Sequence, residues 1–176
     1  MLFLLIFSAL VLAPLIVAFL MPGSYRIEKT IILKQVPEKV IQLVGDFHQH
    51  SLWNPWLQVD KSAEITIKGA PFSKGHVLEW TGKKIGKGTI TVADISERHL
   101  HFEQRYQKPW ASVAQDHWVF EPWGESEVKV TWQKNGGLPW PIARLMGPVI
   151  NRNLGYQVER GLANLKEISE AASNKV

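Results

Sequence analysis

The sequence predicts an α+β fold, in which a curved antiparallel sheet wraps on a long C-terminal helix and one transmembrane helix precedes both. Three patterns indicate this fold. The first 21 residues carry no charge, residues 62–134 hold successive short runs of alternating apolar and polar side chains, and residues from about 149 place apolar side chains at helical spacing. We therefore divide the 176 residues into an anchor at 1–21, a folded domain at 24–170 and a polar tail at 171–176.

The anchor is apolar from Met1 to Met21 except for Ser8. At about 1.5 Å per residue, a helix of this length crosses the roughly 30 Å hydrocarbon core of a bilayer. A cleavable signal would have a basic start and a small-x-small cleavage site, neither of which the segment shows, so a retained anchor is the preferred interpretation. The positive-inside rule predicts a cytoplasmic domain, with the periplasmic face as the alternative. The basic residues behind this prediction follow the span: Arg26, Lys29, Lys34 and Lys39.

The folded domain begins with a strand at 25–33, where β-branched residues alternate with polar ones. Pro37 then opens a helix at its favoured first position. Its buried face is predicted to hold Val40, Leu43, Val44 and Phe47. The polar run from Asp46 to Ser51 is expected to end this helix in a loop.

Six further strands are predicted, separated by turn signals too short for anything but hairpins, so the sheet is antiparallel. They lie near 62–68, 75–81, 86–95, 99–107, 112–121 and 126–134. Large apolar residues fall on one parity of these strands, which gives the sheet one apolar face. A C-terminal helix from about Val149 is expected to cover it with an apolar stripe. The stripe is Leu154, Val158, Leu162, Leu165 and Ile168.

Composition excludes several classes of site. There is no Cys, which rules out a disulfide scaffold, a thiolate zinc site and a cysteine nucleophile. The net charge of +4 is spread along the chain, so nucleic acid is not an expected partner. The Gly- and Lys-rich segment at 82–88 joins two strands and is predicted to be a hairpin turn, not a phosphate loop. No cofactor is indicated, and the sequence leaves the oligomeric state open.

The histidines do not predict a metal site. His48 and His50 lie in the predicted loop, and His99 and His101 share a strand face. That face is opposite Leu100 and Phe102 and therefore faces solvent, and no third ligand has a defined position beside the pair. We expect no metal.

Five local motifs carry a family resemblance. They are Val36–Val40 at the entry of the first helix, Trp53–Trp56 after it, Gly86–Gly88 opening a strand, Val130–Trp132 late in the sheet, and Gly161–Lys166 on the last helix. Their order, with the element order, resembles the START-like superfamily and its polyketide cyclase/dehydrase group over residues 24–170. Several members of that group are similar in carrying an N-terminal membrane segment.

The resemblance implies a helix-grip fold with a cavity between the sheet and the C-terminal helix that holds an apolar small molecule or a lipid. Aromatic side chains of the inner face would form its walls, because each contributes a large apolar area. Alternatively, the same aromatic residues fill the interior as a solid core and leave no cavity. The predicted ligand-binding residues are Trp53, Trp56, Leu78, Trp80, Phe102, Asp116, Trp118, Phe120, Trp132, Leu154 and Val158.

The function predicted from these observations is a membrane-anchored protein that binds such a ligand. A cyclase- or hydrolase-type enzyme is the first alternative, with Asp116 and His76 as acid/base candidates because parity directs both into the cavity. No nucleophile and base form a set, so we name no catalytic residue. A scaffold without a ligand is the second alternative. Trp110 and Trp140, each beside a proline in a predicted loop, could form a rim at the membrane interface.

Overall fold

The computed structural model describes residues 1–173 and contains the predicted sheet and C-terminal helix. The strands are β1 (Ser24–Leu33), β2 (Glu64–Lys68), β3 (Val77–Gly82), β4 (Gly86–Ile95), β5 (His99–Lys108), β6 (Ser112–Pro122) and β7 (Val128–Gly137). The helices of the described residues are α1 (Leu2–Leu20), α2 (Pro37–Gly45), α3 (His50–Trp53), α4 (Pro55–Val59), α5 (Ile142–Leu145) and α6 (Gly147–Ser173), with a 3-10 turn at Phe47–Gln49.

The strands form one sheet in the order β1-β7-β6-β5-β4-β3-β2, and every neighbouring pair is antiparallel. Strands β2 to β7 form the predicted meander, and β1 is the edge strand beside β7. A register shift between Val92 and Asp94 interrupts the pairing of β4 with β5. Such a bulge bends a strand and increases its twist. The predicted antiparallel helix-grip architecture is confirmed.

Helix α6 packs on the sheet along the predicted stripe. Val158, Leu162 and Leu165 are buried, and Leu154 and Ile168 are partly buried. The helix begins at Gly147, two residues before the predicted start, with Pro148 as its second residue. Proline is compatible with this position because the first-turn N–H groups have no acceptor within the helix. The helix continues to Ser173, and residues 174–176 of the predicted polar tail lie outside the described residues.

The segment after α2 is helical, which the prediction of a loop over Asp46–Ser51 missed. Two side-chain caps explain the difference. The Asp46 carboxylate accepts a hydrogen bond from the His48 N–H at 3.0 Å, and the Asn54 side chain accepts one from the Trp56 N–H at 3.1 Å. Each cap satisfies a backbone donor at the start of a short helical turn. The segment therefore folds over the sheet as the 3-10 turn, α3 and α4.

Stacked indoles fill the middle of the interior. Trp118 and Trp132 stack with their ring centroids 4.2 Å apart, and Trp53 meets both edge-on at 5.7 and 6.0 Å. All three are buried. Edge-on and offset contacts of this kind are the arrangements that aromatic pairs prefer.

Helix α1 is long and apolar enough to cross a membrane, a property that it shares with signal sequences. It packs against α5, and Ala18 is the buried residue of α1. After α1 the chain enters β1 directly. The Leu138 N–H donates to the Gly23 carbonyl at 2.8 Å, which ties the start of β1 to the segment before α5.

Candidate functional site

A cavity of about 70 Å³ lies between one end of the sheet and the α3–α4 segment. Its floor comes from β3, β4, β5 and β7 and its roof from α3, α4 and the residue between them. The lining residues are His50, Asn54, Trp56, Leu57, Leu78, Trp80, Ile85, Ile90, Gln104, Tyr106 and Lys134. No α6 residue lines it, so the cavity is not at the predicted position between the sheet and the C-terminal helix.

The cavity lies at the end of the sheet that is nearest to α1. Successive register partners form one row across the sheet from β1 to β3: Tyr25, Gly136, Ala114, Gln104, Ile90 and Leu78. The last three residues of this row line the cavity. Because β1 starts here, four residues after α1 ends, the cavity and the apolar helix share one end of the domain. At the opposite end of the sheet, Leu33 and Val128 are register partners and are fully buried.

Apolar side chains form most of the cavity wall. Leu78 and Ile90 are buried register partners on β3 and β4, and the Trp80 ring lies 5.7 Å from the Tyr106 ring. Trp80 occupies this place because Gly88 lies beneath it: a Cβ at position 88 would lie 2.5 Å from Trp80 Cζ2. The Trp80 indole N–H donates to the Ile85 carbonyl at 3.1 Å, which fixes the ring.

A buried polar network forms one side of the cavity. Lys134 Nζ donates to Gln104 Oε1 at 2.7 Å and to the two Asp116 carboxylate oxygens at 3.0 and 3.1 Å. Asp116 also accepts from the Gln104 amide and from the Trp132 indole N–H. The exposed fraction of Lys134 and Asp116 is 1 % each. A buried ion pair is tolerated only with this degree of hydrogen bonding, because desolvation of both charges is costly.

Tyr106 completes the network. Its hydroxyl donates to Gln104 Oε1. Burial, and then the nearby Asp116 carboxylate, raise the pKa of the Tyr106 phenol above its ordinary value. The hydroxyl therefore stays protonated and acts as a donor at neutral pH.

A groove at the surface lies next to the cavity. It has a volume of about 360 Å³ and is bordered by the start of α6, the β3–β4 turn and the loop around Trp110. Trp56, Ile85 and Tyr106 line both the cavity and the groove, so these three side chains separate the two spaces. Leu154 lies on the groove.

A crevice lies next to the groove, toward α1. It is lined by residues at the end of α1 and the start of α6, including Met21, Pro22 and Pro148. Tyr25 and Leu138 line both the groove and this crevice. The cavity, the groove and the crevice therefore follow one another toward the apolar helix.

The predicted ligand-binding residues fall into three groups. Trp56, Leu78 and Trp80 line the cavity, and Trp56 and Leu154 line the groove. Asp116 lies behind the cavity wall as the partner of Lys134. The others pack in the core: Trp53, Phe102, Trp118, Phe120, Trp132 and Val158. Aromatic residues of the inner face therefore border the cavity at one place along the sheet and pack in the core at another.

Several lining residues were missed by sequence reasoning, above all Lys134, Gln104 and Tyr106. The sequence nevertheless contains a signal for them, which is their parity along the strands. Lys134 shares the parity of Val130 and Trp132, and Gln104 and Tyr106 share that of Phe102. Polar side chains on the apolar parity of nearby strands predict buried polar groups that must pair with each other.

His76 does not enter the cavity, contrary to the predicted direction. Its Nε2 accepts from the Phe47 N–H at 3.1 Å, and its Nδ1 lies 3.1 Å from the Lys68 carbonyl and 3.2 Å from that of Gly69. These contacts place the proton on Nδ1. His76 therefore holds the helical segment against the β2–β3 connection.

Asp46, His48 and His76 bring three potential metal-ligand atoms within 4.8 Å of one another. The His76 Nε2 lone pair is already used by the Phe47 N–H. His48 Nδ1 lies 2.8 Å from the Asp46 carboxylate. The cluster is thus satisfied by its own hydrogen bonds, and it carries no metal-site assignment.

His50 is a buried lining residue with a perturbed pKa. Its Nε2 lies 2.7 Å from the Val44 carbonyl, and its ring packs edge-on against Phe47 and Trp53. Burial lowers the pKa of His50 to about 4. The imidazole is therefore neutral at physiological pH, and its Nε2–H donates to the Val44 carbonyl.

An antiparallel sheet that grips a long C-terminal helix, with a cavity at one end, defines the START-like class of domains. Residues 24–170 match the model of the family described as polyketide cyclase / dehydrase and lipid transport. The chain belongs to this family, as the resemblance predicted. No curated protein matches the sequence significantly.

Solved structures share the fold at low sequence identity. A protein from Thermus thermophilus has a TM-score of 0.64 at 20 % identity, covering 85 % of this chain and 99 % of its own. A hypothetical protein from Helicobacter pylori has a TM-score of 0.63 at 11 % identity, covering 82 % and 88 %. The di-domain ARO/CYC StfQ from the steffimycin biosynthetic pathway has a TM-score of 0.63 at 11 % identity, covering 86 % of this chain and 52 % of StfQ.

Proposed function

We propose that the protein is a membrane-anchored binding protein that holds one end of an apolar or amphiphilic molecule, such as a lipid, in the cavity. The observation that carries the proposal is the succession of cavity, groove and crevice toward α1, in which each space shares lining residues with the next. A cavity of about 70 Å³ is smaller than the roughly 150 Å³ cavity that accommodates benzene. It therefore fits the end of a chain, while the groove has room for the remainder. Family membership supports the same class of ligand.

Membrane attachment would bring the groove to the bilayer surface. Beside the end of α1, the α5 region exposes a group of apolar side chains: Trp140, Ile142, Leu145, Met146 and Val149. An exposed apolar patch of this kind suits an interface, and Trp is favoured at the headgroup level. With α1 as a retained anchor, this patch rests on the bilayer and a lipid reaches the groove without crossing water. Of the two tryptophans considered for a rim at the membrane interface, Trp140 is exposed in this patch, whereas Trp110 lines the groove.

We place the domain on the cytoplasmic side, on the strength of the basic residues that follow α1. Arg26 and Lys29 lie in β1, where Arg26 is exposed and pairs with Glu28, and Lys29 is half-buried and pairs with Glu159. Fusions of alkaline phosphatase and of a fluorescent protein to the C-terminus test the orientation. A fluorescent protein that fluoresces in one fusion, together with an inactive phosphatase in the other, supports the cytoplasmic placement. An active phosphatase overturns it.

The site supports binding better than catalysis. Asp116 is held by Lys134, Gln104 and Trp132, and His76 uses both ring nitrogens in backbone contacts away from the cavity. The two acid/base candidates therefore do not meet at a common space. A reaction would need one of them to leave its hydrogen bonds.

Cavity-filling variants test the binding proposal. The full chain is extracted in detergent and its bound apolar molecules are quantified by mass spectrometry. Ile90→Phe reduces the cavity volume, and Ile85→Trp blocks the passage to the groove, so both are expected to lose most of the bound material. Ile32→Phe, on the outer face of β1 as the register partner of Lys129, is the control and should retain it. Thermal unfolding confirms that each variant is folded. Equal loading of all four proteins, or no loading of wild type, contradicts the proposal.

A further inference from the structure

We propose that the group bound in the cavity is uncharged and carries an oxygen, as a carbonyl or a hydroxyl, and that Lys134 donates a hydrogen bond to it. This inference rests on the proposed function and names the chemistry of the ligand's inner end. It follows from the hydrogen-bonding capacity and the net charge of the buried network, and from where that network meets the cavity.

Lys134 is the charged side chain that lines the cavity. An ammonium group has three N–H donors and no acceptor. Its protein acceptors are Gln104 at 2.7 Å and the Asp116 carboxylate at 3.0 and 3.1 Å. The two carboxylate oxygens lie at nearly equal distances from Nζ, so that one N–H is shared between them. With a second N–H directed to Gln104, the third is available to a ligand oxygen.

The other polar groups of the network are committed to one another. The Asp116 carboxylate accepts from Lys134, Gln104 and Trp132, and the Gln104 amide oxygen accepts from Lys134 and Tyr106. Among these groups, the Tyr106 oxygen keeps acceptor capacity, because a phenol can donate and accept at once. The network thus offers the cavity one donor and one acceptor, which match a hydroxyl, while the donor alone matches a carbonyl.

The charge of the network excludes an ionic end group. Lys134 and Asp116 form a pair in which each side chain is 1 % exposed, so the buried charges sum to zero. A carboxylate or an ammonium entering the cavity would add a buried charge without a partner, which is strongly unfavourable. A carbonyl or hydroxyl adds none and gains a charge-assisted hydrogen bond.

The position of Trp56 makes the end group a short one. Its ring centroid lies 5.6 Å from Lys134 Nζ, within the range of a cation–π contact, and it separates the cavity from the groove. An oxygen beside Lys134 would therefore be followed by hydrocarbon that passes Trp56, Ile85 and Tyr106 into the groove. The ligand class is a neutral chain with a terminal or near-terminal oxygen.

Matched ten-carbon probes test the inference: decane, 2-decanone and decanoate, added to the full chain in lipid nanodiscs at neutral pH. Binding is the excess of probe over empty nanodiscs. We expect wild type to bind 2-decanone at least tenfold more tightly than decanoate and more tightly than decane. The infrared carbonyl band of bound 2-decanone should shift to lower frequency, as expected for a hydrogen bond from an ammonium group.

Asp116→Asn is the decisive variant, because it leaves the lysine without its counter-charge. Its preference is expected to reverse toward decanoate. Tyr106→Phe, which keeps the ring, serves if that variant does not fold. Because it removes the acceptor for a ligand hydroxyl, it should weaken binding of the matched alcohol 2-decanol severalfold while leaving decane unchanged. Equal binding of 2-decanone and decanoate by wild type, no reversal in a folded Asp116→Asn protein, or unchanged 2-decanol binding in Tyr106→Phe overturns the inference and leaves the binding proposal intact. Failure of wild type to bind any probe, decane included, overturns the binding proposal itself.

Discussion

Lys134 Nζ lies 3.0 Å from Asp116 Oδ1, and the two residues are direct register partners on β7 and β6. Both side chains point to the interior of the sheet and are almost fully buried. The pair explains how a domain of this class can contain a charged lysine behind a largely apolar cavity wall. Neither charge is tolerable in this place without the other.

A double-mutant cycle tests this dependence. Lys134→Met leaves the Asp116 carboxylate buried without a counter-charge and should lower the free energy of unfolding by about 3–5 kcal/mol. Asp116→Leu should cost a similar amount. The double variant removes both charges and is expected to recover to within about 2 kcal/mol of wild type, as measured by urea unfolding. Additive losses in the double variant would show that the pair does not act as a unit.

The second prediction concerns the contact between α6 and the sheet. A Cβ at Gly161 would lie 2.9 Å from Trp132 Cζ3 and 3.3 Å from Pro55 Cδ, whereas one at Gly155 would meet nothing within 4 Å. Gly161→Ala should therefore lower the free energy of unfolding by about 1–3 kcal/mol, since it forces α6 away from a stacked indole.

Gly155→Ala is the matched control on the same helix. Alanine has a higher helix propensity than glycine, so this variant should raise the free energy of unfolding by about 0.5–1 kcal/mol. Thermal or urea unfolding of both variants provides the measurement. The same sign of change for the two substitutions would argue against close packing of α6 on Trp132.

The third prediction is a pH dependence of stability from His50. Burial lowers the pKa of His50 to about 4 in the folded protein, whereas an unfolded chain has a histidine pKa of about 6.5. The folded state therefore favours the neutral ring. Its contribution is fully present above pH 6.5 and is lost as the pH falls toward 4. Between pH 7 and pH 5 the loss amounts to about 2 kcal/mol.

His50→Gln removes this titration and keeps a side-chain N–H that can reach the Val44 carbonyl. The free energy of unfolding of wild type should fall more steeply than that of the variant between pH 7 and pH 5. Urea unfolding at four pH values in this range compares the two slopes. Parallel slopes would mean that His50 titrates normally in the folded protein.

The sequence was sufficient to predict the sheet, because period-2 alternation and short turns determine the pairing of neighbouring strands. Each predicted strand is present with its ends within a few residues. The helical turns after α2 were not predicted, because they depend on the caps at Asp46 and Asn54 and on packing of Trp53 into the core. Such short turns have little propensity signal of their own.

The site was predicted less completely than the fold. Parity assigns Trp80 and Trp118 to the same face, yet only Trp80 borders a cavity. What separates them is the distance between the α3–α4 segment and each strand, a tertiary property that one-dimensional patterns do not contain. Parity could have assigned Lys134 to the interior, but its pairing with Asp116 required the strand register.

The fourth prediction concerns the outer face of the sheet, where His101 and His117 stack as register partners with centroids 4.2 Å apart. Burial, and then the proximity of His101, lower the pKa of His117, while Asp116 raises it. His101→Gln removes the repulsion between two protonated rings and should shift the pKa of His117 upward, toward the ordinary value of about 6.5. His99→Gln, on the same strand but opposite Val119, is the control and should leave the His117 pKa unchanged. Imidazole NMR titrations measure both, and an unchanged His117 in the His101→Gln protein would exclude coupling through the stack.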